Sequence, residues 1–192
     1  MKSLKTIINK NVKGKKVLFL FVLTNIVYAI MLIVTIPKTM KFSNGMKLLD
    51  MMPTGYDSEY INALFETLGV PGREIYLYNQ IPVDMIYPFL FGISYCLLIT
   101  YFLKKIDKFN SIFFYLCFLP IIAGIADYLE NFGIINMLNN YPNLSQISME
   151  ATNVFSIVKS ITTTIYFIAL LITLLLFGVK TIIERKRSAN SI

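Results

Sequence analysis

The chain has 192 residues, 56% of them hydrophobic and only 15% charged, with a formal net charge of +7. A soluble domain carries about 25% charge, so this composition argues against one. Histidine is absent, which excludes histidine-ligated haem, histidine-rich di-iron sites, Ser/His triads and H-E-x-x-H zinc proteases.

Four uncharged apolar runs stand out: Val17–Ile36, Met85–Leu103, Phe109–Ala126 and Ser160–Val179, each of 18 to 20 residues. At 1.5 Å per residue each reaches roughly 27–30 Å, the thickness of a bilayer's hydrocarbon core. Backbone groups left unpaired in lipid are costly, so each run is expected to be a helix. Burying four such helices in a soluble protein would require as many amphipathic helices to cover them, and the chain has none to spare. The expected fold is therefore all-α: a four-transmembrane-helix bundle, one integral membrane domain over residues 1–192, with spans near 17–36, 85–103, 109–128 and 157–179.

The first 16 residues carry six lysines and no acid. A signal peptide is one reading of them, but the apolar stretch that follows exceeds the usual 7–15 residues. No Ala-x-Ala cleavage pattern follows at Val34-Thr-Ile-Pro-Lys38, so an uncleaved anchor is expected. Lys104, Lys105 and Lys108 surround Asp107 in the short connection before the third run, and Lys180, Arg185, Lys186 and Arg187 surround Glu184 in the tail. These three segments hold 13 of the 18 basic residues and 2 of the 11 acids. Basic loops stay inside, which predicts a multi-pass protein of the cell membrane or another cellular membrane with both termini cytoplasmic.

The segment between the first two runs, residues 38–83, is predicted to be extracytoplasmic and to hold a short amphipathic helix. Asp57 or Ser58 can cap it, Tyr60, Ile61, Leu64, Phe65 and Leu68 recur at helical spacing, and Gly69 with Pro71 marks a stop. A second short element is expected around Ile75–Tyr78. In the third run Pro120 removes a backbone donor, and a kink is expected there, favouring a cavity in the outer half. Asn131–Asn153 is expected to form a small interfacial turn around Asn139-Asn-Tyr-Pro-Asn143.

The outer ends of the runs carry the candidate site. Asp127, Glu130 and Asn131 fall three and four residues apart on one helix face, with Tyr128 beside them. Asp84, followed by Tyr87, opens the second run, and Lys159 opens the fourth. Acids at such depth are either costly and functional or wet and structural. Crowded carboxylates repel, so Lys159 or Arg73 would have to compensate. Asp84, Asp127, Glu130 and Lys159 are the candidate catalytic or ion-binding residues, and Arg73, Tyr87, Tyr128 and Asn131 the candidate ligand contacts. No cofactor or metal is expected: Cys96 and Cys117 form no C-x-x-C pair, and no phosphate-binding glycine motif is present.

Three function classes fit these residues. The first is a non-enzymatic accessory or lipid-interacting protein with structural acids. A second is a small membrane enzyme, or a lipid- or sterol-binding bundle, with a carboxylate-lined outer site. An oligomeric channel or carrier is the third, and four helices without a mid-span charge make it the weakest. Membrane lipids are the expected partners, together with another membrane protein or a second copy. Nucleic acid is not, because the basic segments are explained by topology and attraction to anionic lipid.

Overall fold

The structure, a computed structural model, describes residues 2–189, and every regular element among them is helical. Helix α1 (Lys2–Asn11) is short. Helix α2 spans Gly14–Met40 and passes through a π turn at Met31–Thr35. After a 3-10 turn at Leu49–Met51, α3 (Ser58–Ile75) runs through a second π turn, Tyr76–Gln80, into the last turn Ile81–Asp84. Helix α4 is Tyr87–Lys105, a 3-10 segment covers Ile112–Phe118, and α5 (Leu119–Asn140) and α6 (Gln146–Ala189) complete the bundle.

Four of these stretches are long and apolar enough to cross a membrane: Gly14–Met40, Ser58–Lys105, Ile112–Asn140 and Gln146–Ser188. In the most apolar windows of the first and last, only 17% of residues are buried, against 56% for Ser58–Lys105. Phe19, Ile33, Leu171 and Leu175 are among the large apolar side chains left exposed on α2 and α6. A soluble protein does not present apolar surface on this scale; lipid accepts it at no cost.

Residues Ser58–Ile75 are helical, but the stretch belongs to the long helical span Ser58–Lys105 and is not the separate short helix expected between the first two spans. Asp57 caps it, its carboxylate accepting the Tyr60 N–H at 2.8 Å, and Ile61, Leu64, Phe65 and Leu68 are buried. Gly69 adopts φ 59°, ψ −176° and breaks the helix, but the chain resumes helical geometry at once. The predicted stop is therefore a kink. Pro71 is tolerated because it falls in the first turn after that break, where its missing N–H costs little.

Two expected boundaries are corrected. The turn expected around Asn139–Asn143 is present at residues 141–145, but the rest of Asn131–Asn153 is helix: α5 continues to Asn140 and α6 already begins at Gln146. Ile134, Met137 and Leu138 share an apolar core with Leu64, Phe65 and Leu68 of α3, so packing extends α5 until Pro142 stops it. The distortion linked to Pro120 lies on its N-terminal side, in the 3-10 segment Ile112–Phe118, while Pro120 itself starts a regular α-helix. A proline ring disturbs the turn before it.

The core has two parts. One joins α3 to the loop at Leu48 and Leu49 and to the C-terminal half of α5. The other joins α1, the start of α2, α4 and the middle of α6 through Ile8, Val17, Tyr95, Ile99, Cys117 and Tyr166. Helix α1, the 104–108 connection and Lys180 share one end of the bundle: Lys104 donates to Asn9 at 2.7 Å, and Lys180 pairs with Asp107. The candidate site lies between the two cores.

Candidate functional site

Two X-Pro steps prepare the site. Pro37 and Pro82 each stand two residues after the end of a π turn. A proline cannot donate to the preceding turn, and a widened turn accommodates the defect. The two widened turns face each other: buried Thr35 donates to Gln80 Oε1 at 2.5 Å. Gln80 Nε2 in turn donates to Asp50 Oδ2 at 3.0 Å, and the Tyr76 hydroxyl donates to Asp50 Oδ1 at 2.7 Å. Both oxygens of Asp50 are thereby held by neutral donors.

Asp50 lines a cavity of about 420 Å³, together with Asp84, Asp127 and Lys159. Its apolar and aromatic wall includes Tyr28, Met31 and Leu32 of α2 and Tyr87 and Phe91 of α4. Ser160, Thr163 and Thr164 of α6 form the facing side. The Tyr28 and Tyr87 rings stack with centroids 5.3 Å apart. Tyr28 and Leu32 are 42% and 45% exposed, and Thr164 of α6 and Pro53 of the loop after the 3-10 turn are exposed as well, so the cavity is open at its rim beside α2, α6 and that loop.

The charges are unequally served. The Lys159 ammonium lies 3.2 Å from Asp127 Oδ1 and pairs with Glu130 Oε2. Glu130 is fully buried behind Lys159 and does not line the cavity. Asp84 is 3% exposed, and its Oδ2 has no hydrogen-bond partner. The amide of Asn131, also buried, lies beside Asp84 but makes no hydrogen bond of normal geometry. Near Glu130 the Tyr56 phenol sits outside the spanning helices. Burial first, then the Glu130 charge, raises its pKa well above the ordinary tyrosine value, so it stays a neutral hydroxyl.

Of the residues singled out from the sequence, Asp84, Asp127, Lys159 and Tyr87 meet at the cavity, with Glu130 and Asn131 directly behind. Tyr128 turns away, its hydroxyl donating to the Met85 carbonyl at 2.9 Å. Arg73 lies apart, donating to the Phe65 carbonyl at 2.6 Å with its guanidinium 4.4 Å from the Tyr141 ring centroid. It compensates none of the acids. Asp50 was not singled out from the sequence, yet it carried a signal: it is the sole charge in the apolar stretch Leu48-Leu-Asp-Met-Met52. A solvated loop has no need of four large apolar neighbours around one acid.

Among the described residues no group of three or more Cys, Asp or Glu side chains has the geometry to hold a metal ion. Cys96 and Cys117 are buried free thiols. Compared with family models, with curated proteins and with solved structures, the chain matches none. Its class therefore rests on the fold and the cavity: an all-helical bundle with four helices able to span a membrane and a cavity lined by three acids and one lysine.

Proposed function

We propose that the chain is a non-enzymatic, lipid-interacting multi-pass membrane protein that admits an amphiphilic molecule from the bilayer into the cavity between α2 and α6. The observation that carries this reading is the cavity itself. Its lining is largely apolar and aromatic, with three acids and one lysine among it. The exposed rim residues Tyr28, Leu32 and Thr164 lie on the two spanning helices whose most apolar windows are least buried. An amphiphile entering sideways keeps its chain in apolar surroundings and brings only its polar head to the acids. Cavities of about 300–1,000 Å³ are the usual size for binding small molecules.

The basic end carries α1, the 104–108 connection and the C-terminal turns of α6, which supports cytoplasmic termini and an extracytoplasmic side holding the acids and the α3 helix. Reporter fusions at each terminus should both read as cytoplasmic; an outside reading at either end overturns the orientation.

The binding reading is tested with tryptophan, which the chain lacks. Phe91 lines the cavity and is 4% exposed, whereas Leu175 is 62% exposed on α6. In detergent, quenching of Phe91→Trp by a chain-brominated amphiphile should saturate, while that of Leu175→Trp should follow bulk concentration. Tyr87→Trp provides a second probe in the same wall. Proportional, non-saturating quenching at all three positions would sink the reading.

A further inference from the structure

The distribution of donors and acceptors around the cavity goes further, and it rests on the amphiphile-binding reading. Three carboxylates reach the cavity surface, from Asp50, Asp84 and Asp127, against one ammonium from Lys159. That ammonium is divided between Asp127 and Glu130. Asp50 receives one neutral donor on each oxygen. What remains is Asp84 Oδ2, buried at the cavity and without a hydrogen bond. The Asn131 amide beside it makes no hydrogen bond of normal geometry to it. A buried acceptor of this kind is expensive to leave unmatched.

We infer that the cavity takes the head group of a primary amine carried on an apolar chain, with an ammonium N–H donated to Asp84. Each part of the lining selects for this. A carboxylate or sulfate head would meet three acids and find no uncommitted cation. A hydroxyl head can donate to Asp84 but brings no positive charge to a cavity with three acids and one lysine. A trimethylammonium head carries the charge and suits the stacked Tyr28 and Tyr87 rings, yet it has no N–H to give. The primary ammonium supplies both charge and donor, and charge-assisted hydrogen bonds are roughly twice as strong as neutral ones. The chemistry is shared by a free long-chain amine and by an ethanolamine phospholipid. The phosphate of the latter would need the rim hydroxyls of Ser160 and Thr163 as its partners.

The test uses the full chain carrying Phe91→Trp, in detergent, titrated with molecules of one brominated chain length ending in a primary amine, trimethylammonium, alcohol or carboxylate. Brominated phosphatidylethanolamine forms a separate arm. The amine should bind about tenfold or more tightly than the alcohol, with trimethylammonium between them and carboxylate weakest. Asp84→Asn should bring amine and alcohol together, Asp84→Glu should keep them apart, and Glu66→Gln, at an exposed position on α3, should change nothing. Saturable quenching by phosphatidylethanolamine that also depends on Asp84 identifies a membrane lipid as the source; response to the amine alone identifies a free amphiphile. Equal affinity for amine and alcohol in the chain with Asp84 intact overturns the inference and leaves the amphiphile reading standing. Saturable binding by none of the molecules overturns both. The amine-to-alcohol ratio is read with Asp84 present, so it decides the matter even if Asp84→Asn fails to fold.

Discussion

Lys159→Met is expected to destabilise the bundle more than any other single change at the cavity. The ammonium of Lys159 serves Asp127 and Glu130 together, and the side chains of those acids are 9% and 0% exposed. Removing it strands two carboxylates in a low-dielectric interior. Breaking a buried ion pair from one side costs about 3–5 kcal/mol, a large share of the stability of a protein this size. The variant should accumulate poorly and lose helical circular dichroism at a distinctly lower temperature than the parent in the same detergent. The triple variant Lys159→Met, Asp127→Asn, Glu130→Gln removes all three charges and should recover most of the loss, because a neutral hydrogen-bonding group is far less costly to bury than a lone charge. Unchanged melting of Lys159→Met would mean that the two acids do not depend on this lysine.

Gly124→Val is the second large effect, and it acts through packing alone. A Cβ at Gly124 would lie 2.7 Å from the carbonyl oxygen of Pro88. That atom belongs to the first turn of α4 and cannot rotate aside as a side chain would. Helices α4 and α5 must therefore separate at their crossing, and overpacking of this kind costs about 1–3 kcal/mol. Gly178 is the matched control, since a Cβ there meets nothing within 4 Å, and Gly178→Val should melt within about 0.5 kcal/mol of the parent. The separation would also displace Ala123 and Asp127 from Tyr87 and Asp84 across the cavity, so Gly124→Val should weaken saturable quenching in the Phe91→Trp background. Equal melting of the Gly124 and Gly178 variants would show that the crossing is not as close as described.

Most of the helical layout was legible because its cause is local. An uncharged run of about 20 residues has one economical conformation in lipid, and capping at Asp57 and the break at Gly69 depend on residues within one turn. The C-terminal end of α5 was less legible. The third run was expected to end near residue 128, ahead of a turn around Asn139–Asn143, but Ile134, Met137 and Leu138 pack against α3, and that long-range contact keeps the chain helical to Asn140. Four of the eight candidate site residues line the cavity, since acids and a lysine near the ends of apolar runs are conspicuous. Arg73 and Tyr128 lie outside the cavity lining, because a helix places residues on a face without specifying which neighbour that face meets. Asp50 escaped notice for the opposite reason. It stands in a loop, and its partners Tyr76 and Gln80 come from a helix 26 and 30 residues further along the chain.

The sequence by itself determined the number of this protein's long apolar helices, each long enough to cross a membrane, and the segregation of basic from acidic residues. Each follows from composition within a window no longer than one helix. Only the tertiary structure decided which acids share a lysine, which carboxylate oxygen is left without a hydrogen bond, and that a cavity open beside α2 and α6 reaches them. Those outcomes depend on how helices cross. Here the crossing was set by Gly124 against Pro88 and by the two π turns joined through Thr35 and Gln80, features that carry no signal until both partners are brought face to face.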